Sequence, residues 1–171
     1  MKVFVKNIKL TALASAILAA GQVLSTGALA GGTTPLTVNA QISGKCKVTT
    51  APGTLDFGII DPSGVANATT STTFVMKCSN GVTSTAASDD GGSHFSGGSK
   101  RMQHSVTATA FLNYSIGYSG DSGFTGTGFG AGATTQTVTI NGTVLVADYQ
   151  NALITTGAQV YADTVTITVN P

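Results

Sequence analysis

Apolar residues recur at every second position in several stretches of this 171-residue chain, a period that fits extended strands with one buried face. Thr164-Val165-Thr166-Ile167-Thr168-Val169 alternates without a fault. In Thr73-Phe74-Val75-Met76-Lys77-Cys78 the even positions carry the more apolar face. Thr137-Val138-Thr139-Ile140 begins a further strand, which the sequence expects to end in a hairpin at Asn141-Gly142. Thr, Val, Gly and Ser crowd the chain and glutamate is missing, a composition that disfavours helices. Strands are expected near 46–50, 55–60, 71–79, 81–87, 105–118, 135–146 and 158–169. Long exposed loops are expected at 88–99 and 120–133, where glycine is frequent. Strands at this spacing suggest an all-β sandwich.

The first thirty residues read as a secretory signal peptide. Lys2, Lys6 and Lys9 precede an apolar run over 10–20, and Ala28-Leu29-Ala30 offers a small-residue cleavage site before Gly31. The run is broken by Thr11, Ser15, Gly21 and Gln22 and falls short of the roughly 20 residues that cross a bilayer. Residues 31–171 then form one domain of ordinary size. That region holds Lys45, Lys47, Lys77, Lys100 and Arg101 against seven aspartates, a net charge of −2. It has neither a basic stripe nor a tryptophan, so nothing supplies the footprint of nucleic-acid binding.

In an exported chain two cysteines default to a disulfide. The phase of Phe74, Met76 and Cys78 turns Cys78 inward. In Lys45-Cys46-Lys47-Val48 the lysines face one way and Cys46 and Val48 the other. The pair would staple two strands, and closing a loop of about 33 residues would contribute roughly 3 to 4 kcal/mol. A metal pair lacks a nearby His or third Cys.

Between the leader and Cys46, the apolar residues Leu36, Val38, Ala40 and Ile42 alternate with Thr37, Asn39, Gln41 and Ser43. This is a strand with one apolar face, open to two readings. It is a first strand running into Cys46, with parity kept through Gly44, or a donor strand that leaves its own domain to complete a neighbour's sheet.

The ordered set Cys46-Lys-Val-Thr-Thr, Leu55-Asp-Phe57-Gly58-Ile-Ile-Asp61-Pro62, Phe74-Val-Met-Lys-Cys78, Lys100-Arg101-Met102, Leu112-Asn113-Tyr114 and Tyr161-Ala-Asp163-Thr-Val165-Thr-Ile167-Thr-Val169 resembles the spore coat protein U domain family. That family includes subunits of archaic chaperone–usher pili. The resemblance covers about 36–169. It implies an incomplete immunoglobulin-like β-sandwich that lacks its last strand and is completed by donor-strand exchange, and the end of the chain straight after an alternating strand agrees. It divides the chain into a signal peptide at 1–30, a donor segment at 31–45 and a domain at 46–171. A periplasmic chaperone would cover the groove and an outer-membrane usher would export the subunit. Leu36, Val38, Ala40 and Ile42 of a neighbouring subunit would then replace the chaperone in the groove. Phe57, Gly58, Arg101, Met102, Leu112, Asn113, Tyr114, Tyr161 and Asp163 are the motif positions. The glycine-rich stretch at 120–133 departs from relatives with a longer, more regular region there.

The role so implied is a structural pilus subunit, exported through the periplasm to the cell surface, in surface attachment and biofilm formation. It needs no cofactor and no small-molecule substrate. A tip adhesin presenting Phe95, Phe124 and Phe129, or a spore or cell-envelope coat protein, are the alternatives.

Sequence matches to catalytic motifs lack the partners that their chemistry needs. Gly120-Asp121-Ser122-Gly123 matches a serine-protease tetrapeptide, yet that chemistry needs a His base held by a separate carboxylate. Only His94 and His104 exist, and the one Asp between either of them and Ser122 is Asp121 itself. Gly128-Phe-Gly130-Ala-Gly132-Ala133 lacks the strand–helix context of a dinucleotide site. Asp89, Asp90 and Asp121 are too few for calcium, and two isolated histidines too few for zinc. Asn67, Asn113 and Asn141 open glycosylation sequons, which the bacterial resemblance leaves without a role.

Overall fold

The computed structural model describes residues 32–171, so the expected signal peptide lies outside the described residues. The strands are β1 (Cys46–Thr50), β2 (Ala68–Cys78), β3 (Thr85–Asp89), β4 (Lys100–His104), β5 (Phe111–Ser119), β6 (Gln136–Val144), β7 (Tyr161–Ala162) and β8 (Ile167–Asn170), with one short helix, α1 (Val146–Tyr149). Six strands form an antiparallel sheet in the order β1-β2-β6-β5-β4-β7, and β3 and β8 form a two-stranded ribbon. The fold is all-β and sandwich-like. Chain contacts divide the protein into two units, Met1–Ala40 and Gln41–Pro171, and all eight strands belong to the second.

The two-residue period sets the core. Phe74 and Met76 of β2 and Val138 and Ile140 of β6 are buried on one face of the large sheet. Ile167 and Val169 of the ribbon pack onto them, with Val48, Leu55, Ile116, Tyr118 and Phe124 around the margin. A second cluster centres on Leu112, Val144 and Tyr149, flanked by Phe57, Met102, Tyr114 and Tyr161. The opposite face carries Thr69, Ser71 and Thr73 of β2 and Thr137 and Asn141 of β6, all polar.

The register puts Cys46 directly opposite Cys78, and the two are disulfide-bonded, so the bridge joins neighbouring strands β1 and β2. Cys78 is buried on the core side as its phase requires.

Several expected elements are redrawn. Asn141-Gly142 makes no hairpin: both residues lie inside β6, paired with Ser71 and Thr70 on one side and Gly117 and Ile116 on the other. Gly142 is needed for space, because a Cβ there would meet Leu55 Cδ2 at 2.8 Å and Phe57 Cζ at 2.9 Å. Those side chains belong to 55–60, an expected strand that pairs with nothing and instead crosses the core face. The stretch at 105–118 divides into a turn and β5, and β4 precedes it. The stretch at 81–87 becomes β3 at its end, while 135–146 closes as α1. The expected strand at 158–169 is interrupted over 163–166 between β7 and β8.

The loop at 120–133 is tied down over much of its length. Gly81 and Ser84 donate backbone N–H groups to Gly126 and Phe124, Gly126 and Gly123 return bonds to Val82 and Ser84, and Gly128 donates to Cys78. The buried Gly126 lies so close to the Cys78 carbonyl that no Cβ fits. The loop expected at 88–99 begins only at Asp90, because Ser88 and Asp89 pair with β8 as part of β3, and Gly91, Gly92, Gly97 and Gly98 all take positive φ.

Candidate functional site

A groove of about 350 Å³ opens between β1 and β8, lined by Val48, Pro52, Phe74, Val165, Thr166 and Ile167. Each rim is a sheet edge, because β1 bonds only to β2 and β8 only to β3 among the described residues. The floor is Phe74, a residue of the main core. The β1 register shifts between Val48 and Thr50, a bulge that bends the strand beside the groove. An apolar trough between two unpaired edges combines the two features that draw in an extended segment: free backbone donors and acceptors, and pockets for alternate side chains.

Segment 32–45 has no assigned secondary structure. Leu36 is 85% exposed, Val38 80% and Ile42 95%, and Ala40 is exposed too. Single exposed apolar residues are commonplace, but here four stand exposed at alternate positions of one short segment.

The ribbon that forms one rim is held over the large sheet by two tyrosines on the core-facing side of β5. Tyr118 donates its hydroxyl to Asp89 Oδ2 at 2.8 Å, and Lys100 Nζ meets Asp89 Oδ1 at 2.9 Å. Tyr114 donates to Asp163 Oδ2 at 2.6 Å. Burial works to raise the Asp89 carboxyl, but the bonds from Lys100, Tyr118 and the Gly91 N–H together hold it below its usual range. Burial first, and then the facing aspartates, push both tyrosine hydroxyls far up. Gly92, at φ +92°, passes so close to Asp163 that a side chain there would strike the carboxylate. Asp90 caps the same turn by accepting the N–H groups of Gly92 and Thr166.

The other motif positions are structural contacts as well. Phe57 covers Gly142, and Gly58 turns the chain at φ +65° with its N–H on Asp56. Arg101 stacks its guanidinium 4.2 Å from the Phe111 ring centre and donates to His94 O. Met102 packs beside the buried Leu112, and Asn113 donates to Asp148 at 2.9 Å. Tyr161 meets His104 edge to face and donates to Leu153 O. The structure therefore brings together Tyr114 with Asp163, and Phe57, Met102, Leu112 and Tyr161 around one cluster. Lys100 of the Lys100-Arg101-Met102 motif joins the ribbon tie with Asp89, a residue that the sequence brings forward only as a candidate calcium ligand, and with Tyr118, to which the parity with Tyr114 points.

Asp121 accepts the Ala87 N–H at 2.8 Å and so anchors the chain beside β3. His104 is buried, and its Nδ1 accepts the N–H groups of Val106 and Thr107 in the β4–β5 turn. Asp121 and the Nδ1 of His104 are thus both engaged by backbone N–H groups. Among the described residues no helix is long and apolar enough to cross a membrane.

No curated protein matches the chain. The sequence profile of the Spore Coat Protein U domain matches residues 32–168, a span that takes in both groove rims, the exposed segment and every motif position. The chain belongs to the Spore Coat Protein U domain family.

Proposed function

We propose that this protein is a structural subunit of a chaperone–usher pilus, polymerising by donor-strand complementation in which 36–43 of one copy lies in the β1–β8 groove of the next. The observation that carries the reading is the match of two incomplete parts: an apolar groove with two open edges, and an uncovered segment with Leu36, Val38, Ala40 and Ile42 on one face. A strand entering the groove would part β1 from β8, whose nearest Cα atoms stand within 8 Å of each other, and would then bond to β1 on one side and β8 on the other, joining the large sheet to the ribbon. Its apolar side chains would extend the cluster around Phe74 and Ile167. Each fully buried large donor side chain contributes roughly 1 to 3 kcal/mol before ordering costs, and Ala40 much less.

The same openness makes the free subunit prone to edge-to-edge association. A periplasmic chaperone that covers the groove until an outer-membrane usher passes the subunit on meets that requirement. Surface attachment and biofilm formation follow as the biological role of the polymer. Deleting 31–43 is expected to give a folded domain that still accepts a donor peptide and no longer polymerises, as read by electron microscopy and size-exclusion chromatography. Normal polymers from the truncated chain would refute the donor assignment.

A further inference from the structure

Three of the domain's lysines gather at one end. At the disulfide end, Lys45, Lys47 and Lys77 share the outer face of the β1–β2 pair, with Lys47 directly opposite Lys77. Lys45 and Lys47 are exposed and Lys77 is half-buried. These are three of the five basic residues in 31–171, and the ion pair formed by the described residues, Lys100 with Asp89, involves none of them. Like charges placed directly opposite across a strand pair are destabilising, so the arrangement has a cost within the isolated subunit. The carboxylate at this end, Asp121, is turned to the Ala87 N–H on the ribbon.

The other end, where β2 starts and β6 finishes, carries three carboxylates beside two cations that are already engaged, Lys100 in its ion pair with Asp89 and Arg101 over the Phe111 ring. Asp148 lies in α1, which follows β6, and Asp61 lies in the turn whose Gly64 carbonyl accepts a bond from Gln150. Asp56 precedes Phe57, which covers Gly142 near the end of β6. Asp56 and Asp61 are exposed, and bonds from the Ser63 hydroxyl and N–H hold the Asp61 carboxyl below its usual range.

Chain direction connects the two ends. β8 runs toward the disulfide end and β1 away from it, so a strand between them is antiparallel to one and parallel to the other. A donor antiparallel to β8 leaves the acceptor at its acidic end. From Ser43 only Gly44 and Lys45 precede Cys46, and three residue steps span at most about 11 Å. The lysine end of the donor then sits toward the acidic end of the acceptor, at a separation comparable to the Debye length of about 8 Å at physiological ionic strength, so that the attraction is partly screened there and strongest at low salt. The opposite direction would set lysine end against lysine end.

We infer that successive copies also dock end to end, with Lys45, Lys47 and Lys77 of one facing Asp56, Asp61 and Asp148 of the next, and that this contact sets the direction of the donor strand. The inference rests on the donor-strand reading. It makes the junction between subunits salt-sensitive, whereas the buried donor face is not. Electrostatic matching speeds association by about tenfold or more at low salt and loses that advantage as salt rises.

The test measures polymerisation rate for the full-length mature chain from about 20 mM to about 1 M salt, a range over which screening becomes nearly complete. Beside it run a triple variant Lys45→Glu, Lys47→Glu, Lys77→Glu and a variant Asp56→Lys, Asp61→Lys. Thermal melting of each monomer establishes that it is folded. The triple variant is expected to polymerise about tenfold more slowly at low salt and at the normal rate at high salt. Mixing the two variants should restore fast alternating assembly. Rates and salt slopes that ignore charge reversal, in chains whose polymerisation still requires 31–43, overturn the inference and leave the donor-strand reading standing. Polymerisation that does not require 31–43 overturns both.

Discussion

Tyr114 donates its hydroxyl to Asp163 Oδ2 across 2.6 Å, linking β5 of the large sheet to the segment that leads into β8. Because β8 is one rim of the groove, this bond ties the chain leading into that rim to the large sheet. Asp163 Oδ1 is buried without another partner, so the tyrosine is the side chain that satisfies the carboxylate. Replacing Tyr114 with Phe should cost roughly 1 to 3 kcal/mol by leaving a buried acceptor unpaired. Urea denaturation of Tyr114→Phe, Asp163→Asn and the double variant measures the coupling, and additive effects would show that the bond contributes nothing.

Asp89 gives a pH dependence of defined sign. Its folded carboxyl is held below the ordinary value of 3.8, so the folded state favours the ionised form. The stabilisation is fully present above that value and is lost as pH falls below it through the folded pKa. Asp89→Asn should therefore flatten the acid limb of a stability–pH curve, and Lys100→Met should shift acid unfolding to higher pH. An unchanged acid limb in both would show that Asp89 does not tie the ribbon to the sheet.

Tyr114 and Tyr118 act at the alkaline side. Their hydroxyls are pushed up from 10.0, so the stability they contribute is present below that value and is lost as pH rises toward the folded pKa. Absorbance at about 295 nm should show Tyr114 and Tyr118 ionising only when the protein unfolds. Ionisation of Tyr114 and Tyr118 near pH 10 in folded protein would contradict the buried ties.

The disulfide between Cys46 and Cys78 closes the β1–β2 pair beside the groove. Its removal by Cys46→Ser and Cys78→Ser should lower stability by roughly 2 to 5 kcal/mol. Identical melting with and without reductant would deny it that role.

What is legible in the residues, and what is not, divides along sequence distance. The alternation in β2 and before Val169 is local, and it places Phe74, Met76, Cys78 and Ile167 on the core side. The parity of Leu36, Val38, Ala40 and Ile42 is equally plain. Asn141-Gly142 reads as a hairpin and is not one, because the reason for the glycine lies far back in the chain at Leu55 and Phe57. β4 carries Lys100, Arg101 and Gln103 and has no apolar period, and its strand form comes from pairing with β5. The ties of 123–128 to the chain from Cys78 to Ser84 are made by backbone groups, which leave no side-chain pattern. The groove itself joins Val48 and Pro52 to Val165 and Ile167, a meeting that depends on the completed topology.

The most direct measurement of donor-strand complementation is the binding of a synthetic peptide of residues 32–45 to the chain lacking 31–43. Complementation predicts that the peptide binds, raises the melting temperature and protects backbone amides of both β1 and β8 from hydrogen exchange, and that the same peptide with Leu36→Asp and Ile42→Asp does none of these. Absence of binding by the native peptide, or equal binding by the aspartate peptide, would contradict it.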